Sequence, residues 1–202
     1  MAKESTLKNM VVTLTLITLI ASSVLGGVYA ITKEPIDAAK TAKTNNAISK
    51  VVPEFDNDPS ADKFIKELDE KSYVVYPAKR GDEIVGYAVE SYTSGGFGGR
   101  ILLMVGFNAD GTINNTAVLS HAETPGLGDK MVEGKSDFSV QFKGKNPADF
   151  KLLVKKDGGD VDAITASTIT SRAFCDAVTT AWEVYNLCAG ETQTEKKEGT
   201  NE

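Results

Sequence analysis

The sequence predicts an α+β protein with one N-terminal transmembrane helix and a single domain that has a largely antiparallel sheet and flanking helices. Three observations predict this class. Residues 9–32 form an uncharged, apolar run, strand-like segments joined by tight turns follow it, and an amphipathic helical pattern lies near the end. The length of 202 residues suits one domain of ordinary size.

The predicted transmembrane helix runs from Asn9 to Thr32, between the charged residues Lys8 and Lys33. As a helix, these 24 residues would extend about 36 Å, which exceeds the hydrocarbon core of about 30 Å. A cleaved signal peptide is the alternative, because residues 28–30 (Val-Tyr-Ala) form a small-x-small cleavage pattern. The length of the uncharged run favours the anchor.

The orientation of this helix is predicted from what flanks it. Residues 1–8 form a short tail, and a large acidic domain follows the helix, which favours a cytoplasmic tail and an outside domain. Lysines occur on both sides of the span, so the positive-inside rule does not decide the orientation of this helix.

Residues 33–72 are predicted to form a helical stalk or linker. Apolar residues recur at helical spacing from Pro35 to Val52, and Pro53 stops this helix. Residues 62–70 form a second short amphipathic piece of the stalk.

The domain proper is predicted at residues 73–189. Its four strands are expected at Tyr73–Ala78, Ile84–Tyr92, Ile101–Asn108 and Ile113–Ser120. Residues 80–82 and 109–111 are predicted turns, which implies antiparallel pairing of consecutive strands. The run from Ala163 to Leu187 ends in a helix with one apolar face, and residues 190–202 form a polar tail that we expect to be disordered.

The composition excludes several classes of site. A net charge of −6 disfavours nonspecific binding of nucleic acid. His121 is the single histidine, so two-histidine metal sites are excluded, and two cysteines are too few for a Cys₄ zinc site or an iron–sulfur site. Cys175 and Cys188 would lie about 20 Å apart in one helix, so no disulfide is expected between them.

Three segments carry candidate chemistry. The first is the glycine-rich stretch Ser94-Gly-Gly-Phe-Gly-Gly99, which precedes a strand. Its glycines would allow the backbone to approach a flat or anionic ligand closely. Because a strand and not a helix follows the glycines, a Rossmann dinucleotide site is disfavoured. The alternative interpretation of the glycine-rich stretch is a flexible turn that binds no ligand.

The second segment is the loop His121-Ala-Glu-Thr-Pro-Gly-Leu-Gly128. A tight turn would hold Glu123 and Thr124 in position to hydrogen-bond a heterocycle or a polyol chain. A structural turn is the alternative. A hydrolytic triad around His121 is a weaker possibility, because no GxSxG motif accompanies it.

The third segment, Asp162-Ala-Ile-Thr-Ala-Ser-Thr-Ile-Thr-Ser171, leads into the amphipathic helix. Unpaired N–H groups at a helix start favour a phosphate, and Thr168 could carry it as an ester. A helix N-cap made by serine or threonine is the plainer interpretation.

Together the three segments resemble the FMN-binding domain of the G subunit of Rnf-type electron-transport complexes. That family is also similar to the C subunit of sodium-pumping NADH:quinone reductases. The loop at residues 121–128 is the most specific part of the resemblance, which covers nearly the whole chain, including the N-terminal helix.

The resemblance implies FMN bound covalently through a phosphoester to Thr168. It assigns the rest of the flavinylation motif to Asp162, Thr165, Ala166, Ser167 and Thr170. It further implies an FMN-binding set of Gly98, Gly99, Glu123, Thr124, Leu127 and Gly128, and no metal site. Residues 166–167 are Ala-Ser where Gly-Ala is commoner in the family, and because both replacements are small the turn is expected to survive.

The resemblance implies a subunit that relays electrons between ferredoxin and NAD in an ion-translocating complex, without complete catalytic activity alone. Its implied partners are the other subunits, a flavin transferase and the lipid bilayer of a bacterial cytoplasmic membrane. Two alternatives stay open, which are the flavin subunit of a sodium-pumping quinone reductase and a membrane-anchored binding or assembly module without a redox role. The chain length favours the Rnf type over the generally longer quinone-reductase subunits.

Overall fold

The structure is a computed structural model that describes residues 6–198, with side chains described through Gly190. In chain order its helices and strands are α1 (Leu7–Val51), β1 (Phe64–Leu68), β2 (Lys71–Arg80), β3 (Glu83–Gly96), β4 (Gly99–Asn108), β5 (Ile113–Ser120) and α2 (Thr168–Glu198). Short 3-10 helices lie at Gly128–Met131, Ser139–Phe142 and Lys155–Asp157. The chain divides into two units, with the boundary between Lys43 and Thr44. The α+β class is confirmed.

Helix α1 joins two predicted helices into one of 45 residues, with Pro35 inside it. A proline inside a helix removes one backbone hydrogen bond and favours a kink, but α1 continues through Pro35. By length and composition, α1 is the one helix in the described part of the chain that could cross a membrane, since an 18-residue stretch of it has a mean hydropathy of 2.1. A helix of this kind near the N-terminus fits either a membrane anchor or a signal sequence.

Hydroxyl side chains within the apolar part of α1 bond back to the helix itself. The Thr18 hydroxyl donates to the Leu14 carbonyl at 3.0 Å, and the Ser23 hydroxyl donates to the Leu19 carbonyl at 2.7 Å. Since these two hydroxyls are satisfied within the helix, Thr18 and Ser23 are compatible with a lipid environment.

The sheet has five antiparallel strands in the order β1-β2-β3-β4-β5. The four predicted strands are confirmed, three of them with longer bounds, as are the two predicted turns. The prediction that residues 62–70 belong to the helical stalk is wrong, because β1 lies there. Asp69 and Glu70 adopt φ angles of 50° and 61°, which is typical of a two-residue hairpin turn that pairs β1 with β2.

Helix α2 covers one face of the sheet. The buried side chains of Val89, Leu103 and Phe107 point to this face and pack with Phe174 and Val178 of α2. Cys175 and Cys188 lie buried on the same helix, and no disulfide joins them, as predicted.

The last two turns of α1 cover the opposite face. Ile48 and Val51 are buried there against Ala88 and Met104. The β4 residue Gly106 makes this possible, because a Cβ atom on it would overlap the carbonyl of Val51. The predicted helix stop is confirmed, since α1 ends two residues before Pro53.

Helix α2 continues through Glu198, where the sequence predicted a disordered tail from residue 190. Glutamate, glutamine and lysine are frequent after Gly190, and these residues favour helix. Residues 199–202, and residues 1–5 of the predicted cytoplasmic tail, lie outside the described part of the chain.

Candidate functional site

The three segments singled out from the sequence converge on one pocket, which lies where the β3–β4 hairpin meets the N-terminus of α2. Its volume is about 370 Å³. It is lined by Phe97, Glu123, Thr124, Leu127, Gly128, Ala166, Ser167, Thr168, Ile169 and Thr170. All of these except Phe97 and Ile169 belong to the site or the motif predicted from the sequence.

The glycine-rich stretch forms the tip of the β3–β4 hairpin. Gly96 pairs with Gly99, so Phe97 and Gly98 make the turn. The Gly98 N–H donates to Glu123 Oε1 at 2.9 Å, and a Cβ atom on Gly98 would overlap the Ala122 carbonyl. Thus Gly98 brings two backbones together, and the residue that this turn directs to the pocket is Phe97.

Glu123 lies at the centre of the site, with only 5% of its surface exposed. Its Oε1 accepts from the hairpin, its Oε2 accepts from the Thr170 hydroxyl, and its backbone N–H donates to His121 Nδ1 at 3.1 Å. One carboxylate therefore ties the hairpin to the first turn of α2. In the described part of the chain, the hydrogen-bond partner of His121 Nδ1 is a backbone N–H and not a hydroxyl or a thiol. A hydrolytic triad around His121 therefore has no support.

Gly128 lies directly against the hydrogen bond between the side chains of Glu123 and Thr170. A Cβ atom at this position would overlap both side-chain oxygens, so glycine is required by packing. The turn before it is closed by the Thr124 carbonyl, which accepts the Leu127 N–H at 3.2 Å.

The segment before α2 is held by Ser171, to which the sequence assigned no role. The Ile164 N–H donates to Ser171 Oγ at 2.9 Å, and both the N–H and the hydroxyl of Ser171 donate to the Ser167 carbonyl at 3.0 Å. These bonds fix the entry of the chain into α2, which begins at Thr168. The first N–H groups of such a helix have no partner inside it.

Besides Ser171, four hydroxyl side chains near this helix start have different environments. Thr170 is 1% exposed and donates to Glu123, and Ser167 is 8% exposed. Thr165 is exposed but does not line the pocket. Thr168 lines the pocket and is partly exposed, and no described residue hydrogen-bonds its hydroxyl.

Two members of the predicted motif line a neighbouring, more open pocket of about 430 Å³, namely Asp162 and Thr165. The Asp162 carboxylate pairs with Lys155 Nζ at 2.7 Å on the surface. Its backbone exchanges hydrogen bonds with the Gln141 side chain at 2.8 and 3.0 Å. The structure therefore separates Asp162 and Thr165 from the pocket that Thr168 lines.

Two ionisable groups near the site have shifted pKa values. The Lys135 ammonium group, which hydrogen-bonds the Asp129 carboxylate at 2.7 Å, lowers the pKa of Asp129. Burial raises the pKa of the Cys175 thiol to about 12. Since the thiolate is the reactive form of cysteine, Cys175 is not a nucleophile at neutral pH.

Comparison with known proteins identifies the family. Residues 96–183, which contain nearly all of the three segments, match the FMN-binding domain. The G subunit of an ion-translocating oxidoreductase complex from Cereibacter sphaeroides is 39% identical over 171 residues, which cover 81% of this chain and 77% of that protein. The chain belongs to the family of G subunits of Rnf-type ion-translocating oxidoreductase complexes.

Two further G subunits show how much of the chain is shared. The protein of this name from Vibrio atlanticus is 36% identical over 78% of this chain and 80% of its own length. The one from Aliivibrio fischeri is 32% identical over 94% of this chain and 95% of its own length.

The pocket offers features that suit both the ring system and the phosphate of FMN, the ligand for which the domain family is named. Phe97, Leu127 and Ile169 give it an apolar rim suited to a flat ring system, and all three are more than 40% exposed. The start of α2 supplies unpaired N–H groups and the positive end of the helix dipole, which suit a phosphate. The Thr168 hydroxyl lies at that helix start.

The departure from the usual motif of the G subunits has a structural consequence at Ala166. The turn survives, as expected, but Ala166 has a φ angle of 62°. A side chain in this left-handed region costs about 1–2 kcal/mol relative to glycine. Glycine at this position would adopt the same backbone conformation without that cost.

We expect Ala166→Gly to raise the free energy of unfolding by about 1 kcal/mol, because it removes the Cβ atom from the left-handed region. Urea unfolding of the purified chain in detergent measures this. Ala163→Gly is the matched control, since Ala163 is not among the residues with positive φ, and it should destabilise slightly. Equal destabilisation by both changes would contradict the assignment of strain to Ala166.

Proposed function

We propose that this chain is a membrane-anchored subunit that carries FMN on Thr168 and relays electrons within an Rnf-type ferredoxin:NAD oxidoreductase. The observation that carries the proposal is the position of Thr168. It combines a partly exposed hydroxyl residue, a helix N-terminus and a pocket of about 370 Å³ in one place.

Covalent attachment at Thr168 is supported by exclusion of the neighbouring hydroxyls. The Thr170 hydroxyl is buried and bonded to Glu123, Ser167 lines the pocket but is only 8% exposed whereas Thr168 is partly exposed, and Thr165 lines another pocket. In the proposed maturation step, a flavin transferase supplies FAD. The Thr168 oxygen bonds to the FMN phosphorus of FAD while the pyrophosphate P–O bond to AMP breaks, so that AMP leaves and the hydroxyl proton passes to water.

Bound FMN would supply a carrier that takes up and releases one or two electrons. The chain's own residues position it. The phosphoester to Thr168 would hold the phosphate against the first turn of α2, while Phe97, Leu127 and Ile169 contact the apolar ring and exclude water. Their exposure leaves the mouth of the pocket open to the redox centres of other subunits.

Helix α1 is proposed as a single membrane anchor through residues 9–32 of a bacterial cytoplasmic membrane. Its apolar composition and self-satisfied hydroxyl groups support this role. Residues 1–8 would form the cytoplasmic tail, and the FMN domain would lie on the periplasmic or extracytoplasmic side. The other subunits of the complex and the surrounding lipid are its proposed partners.

The orientation predicts the activity of a reporter. An alkaline phosphatase fused after Gly190 should be active, because this enzyme folds only outside the cytoplasm, whereas a cytoplasm-dependent reporter at the same position should be inactive. Activity of the cytoplasmic reporter alone would place the domain inside and overturn the orientation.

In-gel fluorescence after denaturing electrophoresis tests the flavin proposal. The full chain, co-expressed with a flavin transferase, should give a fluorescent band, because only covalent flavin survives denaturation. A wild-type chain that stays dark would exclude covalent FMN and favour a binding or assembly role without redox chemistry.

A further inference from the structure

Glu123 is a buried charge at the wall of the pocket. It is the one charged side chain among the described residues that line the pocket. In the described part of the chain no lysine or arginine forms an ion pair with it, and the nearby Lys135 is paired with Asp129. The site therefore holds a carboxylate without a compensating cation.

Hydrogen bonds from two other segments hold the Glu123 carboxylate in place. The Gly98 N–H and the Thr170 hydroxyl each donate to one carboxylate oxygen. Each oxygen keeps a second lone pair that can accept from a ligand, so the hydrogen bond to a ligand that the sequence suggested stays a prediction.

We propose that the Glu123 carboxylate lowers the reduction potential of FMN bound in this pocket. The inference rests on the proposed function, since it requires FMN in the pocket. Reduction adds two electrons and one proton to the flavin ring, supplied in a titration by the electrode and by water. The ring thereby becomes one unit more negative. A fixed negative charge in a site of low dielectric repels that product more than the oxidised form, so it opposes reduction.

Glu123→Gln tests the charge while it preserves the contacts. The Gln carbonyl oxygen can still accept the Gly98 N–H, and its amide nitrogen can donate to Thr170 Oγ1. We expect the equilibrium constant for two-electron reduction to rise about tenfold, which corresponds to about 30 mV. Spectroelectrochemical titration of the full flavinylated chain in detergent measures this potential.

Thr170→Val is the matched control, because it removes a contact of Glu123 and leaves the charge. If Glu123 acts by its charge, this variant should have a potential equal to or below that of wild type. If Glu123 is only a structural link between the loops, both variants should shift the potential in the same direction, and the proposal is then wrong. An unchanged or lowered potential in Glu123→Gln also overturns it.

A second pair of variants, at Thr124, leaves the hydrogen bonds of the Glu123 carboxylate intact. Thr124 is exposed and lines the pocket beside Glu123. Thr124→Lys adds a cation that should raise the potential, whereas Thr124→Gln should not. If Glu123→Gln does not fold, an unchanged potential in Thr124→Lys overturns the proposal. If Glu123→Gln folds without acquiring flavin, Glu123 is needed for attachment, and the proposal is again wrong.

The outcomes separate this inference from the proposed function. A wild-type chain without FMN contradicts the proposed function, and the inference fails with it. A flavinylated wild-type chain whose potential does not respond to Glu123→Gln contradicts the inference alone.

Discussion

Thr168→Ala is expected to abolish covalent flavin, so that the fluorescent band falls to background while the protein band keeps its intensity. The substitution removes the acceptor oxygen. No nearby hydroxyl is expected to replace it, because Thr170 is buried against Glu123 and Ser167 is buried in the helix entry. Fluorescence per unit of stained protein, after co-expression with the transferase, measures the effect.

The matched control for this loss is Thr180→Ala, the same chemical change on the same helix but outside the pocket. It should leave the fluorescence at the wild-type level. Thr168→Ala should also unfold at nearly the wild-type urea concentration, because no described residue hydrogen-bonds its hydroxyl. A band that persists in Thr168→Ala would show that another residue carries the flavin.

Gly106→Ala is expected to cause the largest loss of stability, about 2–3 kcal/mol. The added Cβ atom would overlap the Val51 carbonyl and force the end of α1 away from the sheet. Ile48 and Val51, which are 1% and 0% exposed, would lose their packing. The carbonyl of Val51 would also lose the Asn114 side-chain amide, which now donates to it at 2.8 Å.

The control for Gly106→Ala is Gly190→Ala. Gly190 lies in α2, and a Cβ atom there meets nothing within 4 Å. Alanine should stabilise this helix by up to about 1 kcal/mol. Both variants are compared by urea unfolding in detergent and by proteolysis of residues 44–53, which should become faster only in Gly106→Ala. Unchanged stability of Gly106→Ala would show that the sheet accommodates the side chain.

The sheet was predictable because its signals are local. Alternating apolar residues and glycine-containing turns define β2 to β5, and tight turns between them imply the antiparallel order. The first strand was missed because Phe64–Leu68 is short and partly exposed, and its hairpin turn, Asp69-Glu70, contains no glycine or asparagine. The extent of both long helices was underestimated, since proline and polar residues weaken a helical pattern without ending a helix.

Most of the residues that line the pocket were predictable from the sequence, but their contacts were not. Family resemblance pointed to Thr168, Glu123 and the loop at residues 121–128, and the structure brings these together at one pocket. The link from Glu123 to Thr170 joins residues 47 positions apart, and no local pattern reveals such a pairing. The exposed Phe97 at the hairpin tip had one available signal, an aromatic residue among four glycines.

The positions of Asp162 and Ala166 also needed the structure. The sequence motif alone does not reveal that the Asp162 carboxylate pairs with Lys155 on the surface and does not line the pocket of Thr168. The positive φ angle of Ala166 follows from the turn that connects Thr165 to the start of α2, and an alanine gives no sign of it.

Covalent attachment of FMN to Thr168 can be tested by mass spectrometry of the full chain and of one peptide. Cleavage after Lys156 and Arg172 releases residues 157–172, which contain Thr165, Thr168 and Thr170. After co-expression with the transferase, both chain and peptide should be heavier by FMN minus one water, and fragmentation should locate the addition on Thr168. An unmodified peptide, or an addition on another residue, would contradict the account.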